Sequence, residues 1–331
     1  MIAAAIDIAL LLFLTGTAFS IVRRTTLFSV VMLSGVFSFV SALLLVHLDA
    51  VDVAFTEAAV GAGVSTVLML STLSLSSRHE APNTRSRALP LIVVFLTGFA
   101  LIYGTLDMPR FGDPLAPIHQ HVMARYVAGA APGGEIGIPN IVTAVLASYR
   151  GFDTLGETTV IFTAGIAVLL LLSGTIRENG GEKINAMDHH LVLRVVTKVL
   201  IGPILLFALY VQFHGDFGPG GGFQAGVIFA AAFIIYALVF GLETARRALP
   251  GRAVRWMLAL GVLVYGGVGL ISFFFGKNYL DYSILGTTAT AGQHLGIMLV
   301  EFGVGMTVAA VMVSTYYAFA GQNPPISDED W

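Results

Sequence analysis

Nine separate apolar stretches, each about 16 to 26 residues long, run through the sequence, and each suffices to cross a ~30 Å hydrocarbon core as an α-helix. They fall at 2–22, 26–46, 53–75, 89–106, 158–175, 191–213, 223–242, 254–275 and 294–319, the fifth being the weakest. Composition agrees: 56% of the 331 residues are hydrophobic and only 11% charged, against roughly a quarter in soluble chains. A soluble enzyme is excluded, and the expected fold class is an all-α integral membrane protein with about nine transmembrane helices. The first stretch lacks a basic n-region, and Arg23 and Arg24 follow it, so it is expected to be a retained membrane helix and not a cleaved signal. A net charge of -3 with no basic run gives no nucleic acid partner, and the absence of cysteine excludes disulfides and iron–sulfur ligation by this chain.

Lys and Arg concentrate in alternate loops. Arg23 and Arg24, then Arg78, Arg85 and Arg87, then Arg177, Lys183 and Arg194, and finally Arg246, Arg247, Arg252 and Arg255 share one side, which the positive-inside rule makes cytoplasmic. The N-terminus is therefore expected outside, and the C-terminus, with its acidic tail at 327–330, in the cytoplasm. The polar linkers 76–87 and 177–190 divide the helices into modules of three, two and four, at 1–80, 88–180 and 188–320. The longest loop, 107–157, lies outside and contains an amphipathic segment, 141–149, with Ile141, Val142, Val145, Leu146 and Tyr149 on one face, suited to lying along the interface.

An ionisable side chain within a span costs roughly 2.5 to 3.5 kcal/mol on insertion scales, so each one needs a reason. Glu57 lies one turn into the third stretch with Gly61 four positions on, leaving room for an ion, a water or a partner's side chain. The alternatives are a helix cap or a structural pairing. Glu301 follows His294 by seven residues on one face of the last stretch, where a carboxylate has either a cationic partner or a proton-carrying role. Asp153 and Glu157, spaced i,i+4, enter the fifth stretch; Asp153 suits a cap, and Glu157, one turn deeper, an ion path. Lys198 either snorkels to the interface or serves as a counter-ion to an acid.

The run from His214 through Gly215, Asp216, Phe217, Gly218, Pro219, Gly220, Gly221, Gly222 and Phe223 lacks a Gly-Lys-Ser/Thr ending and a preceding strand, which removes nucleotide binding. It is expected to be a tight turn at the outer surface, where His214 either shuttles protons or is structural. His119 with His121, and His189 with His190, lack the Cys or carboxylate partners of a zinc site, so no metal is expected. Gly16, Gly35, Gly98, Gly165 and the cluster Tyr265-Gly266-Gly267-Val268-Gly269 read as close helix packing.

The run 214–226, with Ala289-Thr290-Ala291-Gly292-Gln293-His294 and Val300-Glu301-Phe302-Gly303, resembles the MrpB (MnhB) subunit of multisubunit cation/proton antiporters. Residues 51–70, with Thr56-Glu57-Ala58-Ala59-Val60-Gly61, resemble the MbhD module, and 139–160, with Phe152-Asp153-Thr154-Leu155-Gly156-Glu157, the MbhE module. Those two modules normally end the large MrpA subunit or stand alone in membrane-bound hydrogenases. The resemblance implies functional weight for Glu57, Asp153 and Glu157, and structural weight for Pro219, Gly220, Gly221, Gly222 and Phe223. It further implies an accessory subunit of a Na⁺/H⁺ antiporter in the cell membrane, with other antiporter-like membrane subunits as partners. On that reading the chain has no enzymatic chemistry and no cofactor, and Na⁺ and H⁺ are what it helps carry. Glu57, Asp153, Glu157, Glu301, Lys198, His214 and His294 are then the candidate ion-path residues. The alternatives are a membrane subunit of an ion-pumping redox complex and a purely structural linker.

Overall fold

The computed structural model describes residues 2–80, 88–173, 187 and 190–322. Most of both linkers, His189 and the acidic tail at 327–330 lie outside the described residues. Among the described residues the chain is helical, and its one extended contact is an isolated bridge between Thr26 and His79. The long helices are α1 (Ile2–Arg23), α2 (Leu27–His47), α3 (Val51–Leu73), α4 (Ala88–Gly104), α5 (Gly151–Ser173), α6 (Leu191–His214), α7 (Gly222–Phe240), α8 (Gly251–Phe274) and α9 (Ala289–Ala320). Eight of these have the length and apolarity of membrane spans; α4, with 17 residues, stands at the short end of the workable range.

Two boundaries differ from expectation in a way that matters. Helix α5 begins seven residues before the expected 158, which brings Asp153 and Glu157 inside the helix. Polar residues are tolerated there because Thr154 donates to the Leu146 carbonyl at 2.8 Å and the Tyr265 hydroxyl binds the Gly151 carbonyl at 2.7 Å. Helix α9 likewise starts at Ala289, where the Thr288 hydroxyl accepts the Ala291 N–H, so His294 sits more than a turn inside it.

Helix α9 is the axle of the fold. It packs against α5, α7 and α8, and the C-terminal part of α3 also reaches it. Lipid tails are as apolar as leucine, so hydrophobicity alone cannot draw two membrane helices together; close backbone approach can. A Cβ at Gly226 of α7 would lie 2.5 Å from the Gly305 carbonyl oxygen, and one at Gly261 of α8 would lie 2.6 Å from that of Gly303. Two glycines, two residues apart on α9, thus admit two different helices. Gly35 against Thr66, and Gly165 against Val311, are close approaches as expected, whereas Gly16, Gly98 and Gly267 have nothing within 4 Å of a built Cβ and do not mark contacts.

The first module is strung out. Helix α1 packs on α2, and α2 on α3, and only α3 ties this group to α7 and α9. Among the described residues helix α4 packs closely on no other long helix, and its large apolar side chains face outward.

Candidate functional site

Helix α3 is not uniform: Glu57–Val64 is wound as a π-helix between two α-helical segments. Such widened turns re-aim side chains. Here the Glu57 carboxyl folds back over Gly61, where a built Cβ would lie 2.7 Å from its Oε1 and 2.6 Å from the Ser38 hydroxyl of α2. The space expected beside Gly61 is therefore shared by Glu57 and Ser38.

The segment 141–149 is also partly π-helical, with Ala144–Tyr149 following one α-helical turn, Ile141–Thr143. Thr143, Ala144 and Ala147 are buried against the body, whereas Ile141, Val142 and Leu146 of the expected apolar face are exposed, Val142 and Leu146 also bordering the cavity described below. Small side chains permit the close approach, and Asn140 fixes it. The Asn140 side-chain oxygen caps the segment by accepting from the N–H groups of Val142 and Thr143. Its amide donates to the carbonyls of Gly215 and Gly218, each at 2.9 Å, and the Thr143 hydroxyl donates to Gly215 at 2.8 Å.

Those bonds pin the glycine-rich loop between α6 and α7. Expected as a turn at the surface, it is instead folded inward: Gly215, Asp216, Gly220, Gly221 and Gly222 are buried, while Phe217 and Pro219 remain exposed. Gly221 adopts φ +112°, open in practice to glycine alone, and a Cβ there would meet Glu301 Oε1 at 2.9 Å. A Cβ at Gly222 would collide with the Glu301 carbonyl oxygen. The loop thus wraps the Glu301 side chain.

Beneath it lies a cavity of about 250 Å³ lined by residues from the first, middle and last parts of the sequence. Helix α3 contributes Asp52 and Thr56, α5 contributes Thr154, Glu157 and Thr158, and α9 contributes Val300, Glu301 and Val304. Val142, Thr143, Gly220 to Gly222, Phe223, Gln224 and Tyr265 complete much of the wall. Three carboxylates face this space and no Lys, Arg or His lines it. Asp52 Oδ1 accepts the Gly220 N–H at 3.2 Å. Among the described residues, no ion pair or hydrogen bond engages the carboxylates of Glu157 or Glu301.

Of the expected ion-path residues, Glu157 and Glu301 line the cavity and the other five do not. Glu57 lies on the α2 side of α3. Asp153 is pulled back onto Arg150, with contacts of 2.7 Å to both Nη2 and Nε. Lys198 is exposed, its ammonium 5.5 Å from the Phe240 ring centre, as a snorkelling side chain would be. His214 stacks on Tyr210 with ring centres 4.9 Å apart. His294 Nδ1 lies 2.5 Å from Asp216 Oδ2, just outside the cavity. Burial holds the Asp216 carboxyl above the ordinary carboxylate range, and the adjacent His294 works against that shift. At the same end of the molecule the Tyr149 hydroxyl donates to Glu135, which Arg125 also approaches; burial first and Glu135 second push the Tyr149 phenol up to about 12.

Asp52, Asn140 and Asp216 escaped the sequence reading. Asp52 lies just before an apolar stretch, where an acid ordinarily means a helix end, and Asp216 lies in a glycine run that suggests a solvated turn. The one available signal was that all three belong to the quoted motifs.

What fold and cavity define is a class: a multi-pass membrane protein with a cavity lined by carboxyl groups from distant parts of the sequence, that of Glu157 exposed. The comparisons with known proteins narrow it. A family model described as a domain related to the MnhB subunit of Na⁺/H⁺ antiporters matches residues 192–314. The MbhD and MbhE family models, which describe two MBH subunits, match residues 12–78 and 85–179. Antiporter subunit mnhB2 from Staphylococcus aureus (strain Newman) is 36% identical over 137 residues, which cover 40% of this chain and 96% of that protein, and the same holds for its counterpart in strain COL. The chain belongs to the MnhB family of antiporter subunits, and MbhD-like and MbhE-like regions precede its MnhB-related domain. Among solved structures, the Mrp complex from Dietzia sp. DQ12-45-1b superposes with a TM-score of 0.75 at 27% identity, over 97% of this chain and 35% of that one. The chain therefore spans about a third of the length of that Mrp-complex chain. The membrane-bound sulfane sulfur reductase, an archaeal respiratory membrane complex, gives a TM-score of 0.54 at 27% identity, over 70% of this chain and 97% of that one.

Proposed function

We propose that the chain is an accessory subunit of a multisubunit Na⁺/H⁺ antiporter and that the cavity bounded by Asp52, Glu157 and Glu301 holds a sodium ion or a proton in transit. The observation that carries this is the uncompensated cavity: three carboxylates line it and no basic side chain does. Each carboxylate is costly within a span, and three facing one another repel besides, so the cost is offset when a cation or proton occupies the space. A volume of about 250 Å³ accommodates a monovalent cation with several waters, each taking roughly 30 Å³. Kinship with antiporter subunits supports the direction of this reading. Partner subunits supply the remainder of the route, the N-terminus and the cavity mouth face outward, and the chain carries no catalytic centre or cofactor of its own.

The test replaces Glu157 or Glu301 by Gln in the assembled complex and follows sodium flux in membrane vesicles. Loss of flux with normal assembly is expected; unchanged flux in both variants would leave the chain a scaffold. A second reading, a subunit of an ion-pumping redox complex, is favoured by the MBH-type matches and the sulfur reductase structure. Purifying the intact native assembly separates the two: antiporter-like subunits alone support the first, and iron-bearing subunits the second.

A further inference from the structure

Asp216 differs from the cavity acids. It is 5% exposed, its Oδ2 is held 2.5 Å from His294 Nδ1, and its Oδ1 is buried with no hydrogen-bond partner among the described residues. A carboxylate kept only for structure engages both oxygens with fixed donors, because an unmade bond at a buried oxygen costs about 1 to 3 kcal/mol. The donors nearest this loop are directed elsewhere: Asn140 to Gly215 and Gly218, and Thr143 to Gly215. On one side of Asp216, the His294 side chain is 48% exposed. On the other, Gly215 abuts the cavity, since a Cβ there would lie 2.9 Å from Glu301 Oε2.

We propose that His294 and Asp216 form a proton port that connects water at the protein surface to Glu301. His294 takes a proton from water and passes one from Nδ1 to Asp216 Oδ2. The imidazolium becomes neutral and the carboxylate becomes a carboxylic acid. The Asp216 carboxyl then turns about its Cβ–Cγ bond, which carries the protonated oxygen to the side of the unpartnered Oδ1, and releases the proton toward Glu301; Asp216 returns to its charged state and Glu301 is left protonated. The groups facing this relay are His294 and Glu301 from α9, Asp52 from α3 and Glu157 from α5 across the cavity; His214 of α6 stacks on Tyr210, with Phe217 tilted beside it. The segment 140–143 contributes only the neutral Asn140 and Thr143. Burial favours the protonated form of Asp216, as a relay carboxyl requires.

The port rests on Glu301 serving transport, so the experiment separates the two claims. Radioactive sodium efflux is followed in vesicles bearing the assembled complex, at equal pH on both faces. His294→Ala is expected to slow efflux at least about tenfold, the lower end of what one positioned proton-transfer group contributes, and added imidazole should restore it without affecting the parent complex. Asp216→Asn should slow efflux to the same degree and gain nothing from imidazole. Full activity in His294→Ala, or a defect that imidazole leaves untouched, overturns the port while Glu301→Gln remains inactive. Normal efflux in Glu301→Gln overturns the cavity reading itself. If the Asp216→Asn complex is not recovered from membranes, His294→Ala decides alone, because its side chain is half exposed.

Discussion

Helices α1 and α9 are about equally apolar, yet no residue of α1 is buried and most of the core of α9 is. In water such a difference would be untenable. In a bilayer it shows that apolarity chooses the span while small residues choose the neighbours. Helix α9 carries Gly292, Gly296, Gly303 and Gly305, each so close to another element that a side chain would have to displace it; Gly16 of α1 and Gly98 of α4 face open space. The C-terminal bundle is therefore a packed scaffold. The faces of α1 and α4 stay open, with no buried residue on either helix.

The largest expected effect tests this contrast directly. Gly222→Val drives a side chain into the backbone carbonyl of Glu301, where neither helix can retreat without separating from the other. Overpacking costs about 1 to 3 kcal/mol even where side chains can adjust, and here the obstacle is backbone. Heating the purified chain and following the loss of monodisperse protein should show a large fall in midpoint, or no recoverable protein. Gly98→Ala should leave the midpoint unchanged or slightly raised, because alanine is the better helix former and nothing opposes it. Equal damage from both would mean that α4 is packed in a way the fold does not show.

The second effect concerns Asp52, the acid that joins the loosely attached first module to the bundle through the Gly220 N–H. Asp52→Asn keeps the shape and removes the charge. Sodium flux in the assembled complex should fall about tenfold, corresponding to ~1.4 kcal/mol in the barrier, with assembly intact. Flux that survives Asp52→Asn but not Glu301→Gln would confine the functional acids to α5 and α9.

A third, smaller effect is a slope. Burial holds Asp216 above the ordinary carboxylate range in the folded chain. The folded state thus retains a proton where the unfolded chain has lost it, and the associated stability is present at acid pH and declines as pH rises through the folded value. His294 opposes the shift and reduces the slope without reversing its sign. Thermal midpoints between about pH 4 and 7 should fall more steeply with pH in the parent chain than in Asp216→Asn; parallel curves would show that Asp216 is not perturbed. The same logic places any contribution from Tyr149 below about pH 10, lost as pH rises towards 12.

The spans were legible because length and apolarity suffice to mark them. The cavity was legible only in part. Glu301 attracts notice as a charge inside an apolar run and Glu157 as one at the entry to another, but the membership of Asp52 depends on a glycine-rich loop folded inward until its Gly220 N–H meets that carboxylate, which no periodicity displays. In 141–149 the apolar stripe was legible, but the residues that meet the body were not: Thr143, Ala144 and Ala147 pack inward because small side chains permit the close approach, and small residues carry no burial signal in the sequence.

The smallest effect separates two acids that the sequence pairs. Asp153 and Glu157 stand one turn apart on α5, a spacing that suggests a shared task. The structure divides them: Glu157 faces the cavity, and Asp153 is bound by Arg150 at a position where both side chains are more than half exposed. Solvent screens an exposed pair of this kind, and most such pairs contribute little to folding. Asp153→Ala should therefore leave the thermal midpoint of the purified chain almost unmoved, and raising the ionic strength should abolish whatever difference remains. Glu157→Ala should shift the midpoint only slightly too, since Glu157 is also exposed, but upward, because it takes one of three carboxylates from the cavity lining. A midpoint lowered by Glu157→Ala would mean that a fixed cationic partner holds that carboxylate, and the contrast between scaffold and ion site would then fail at its centre.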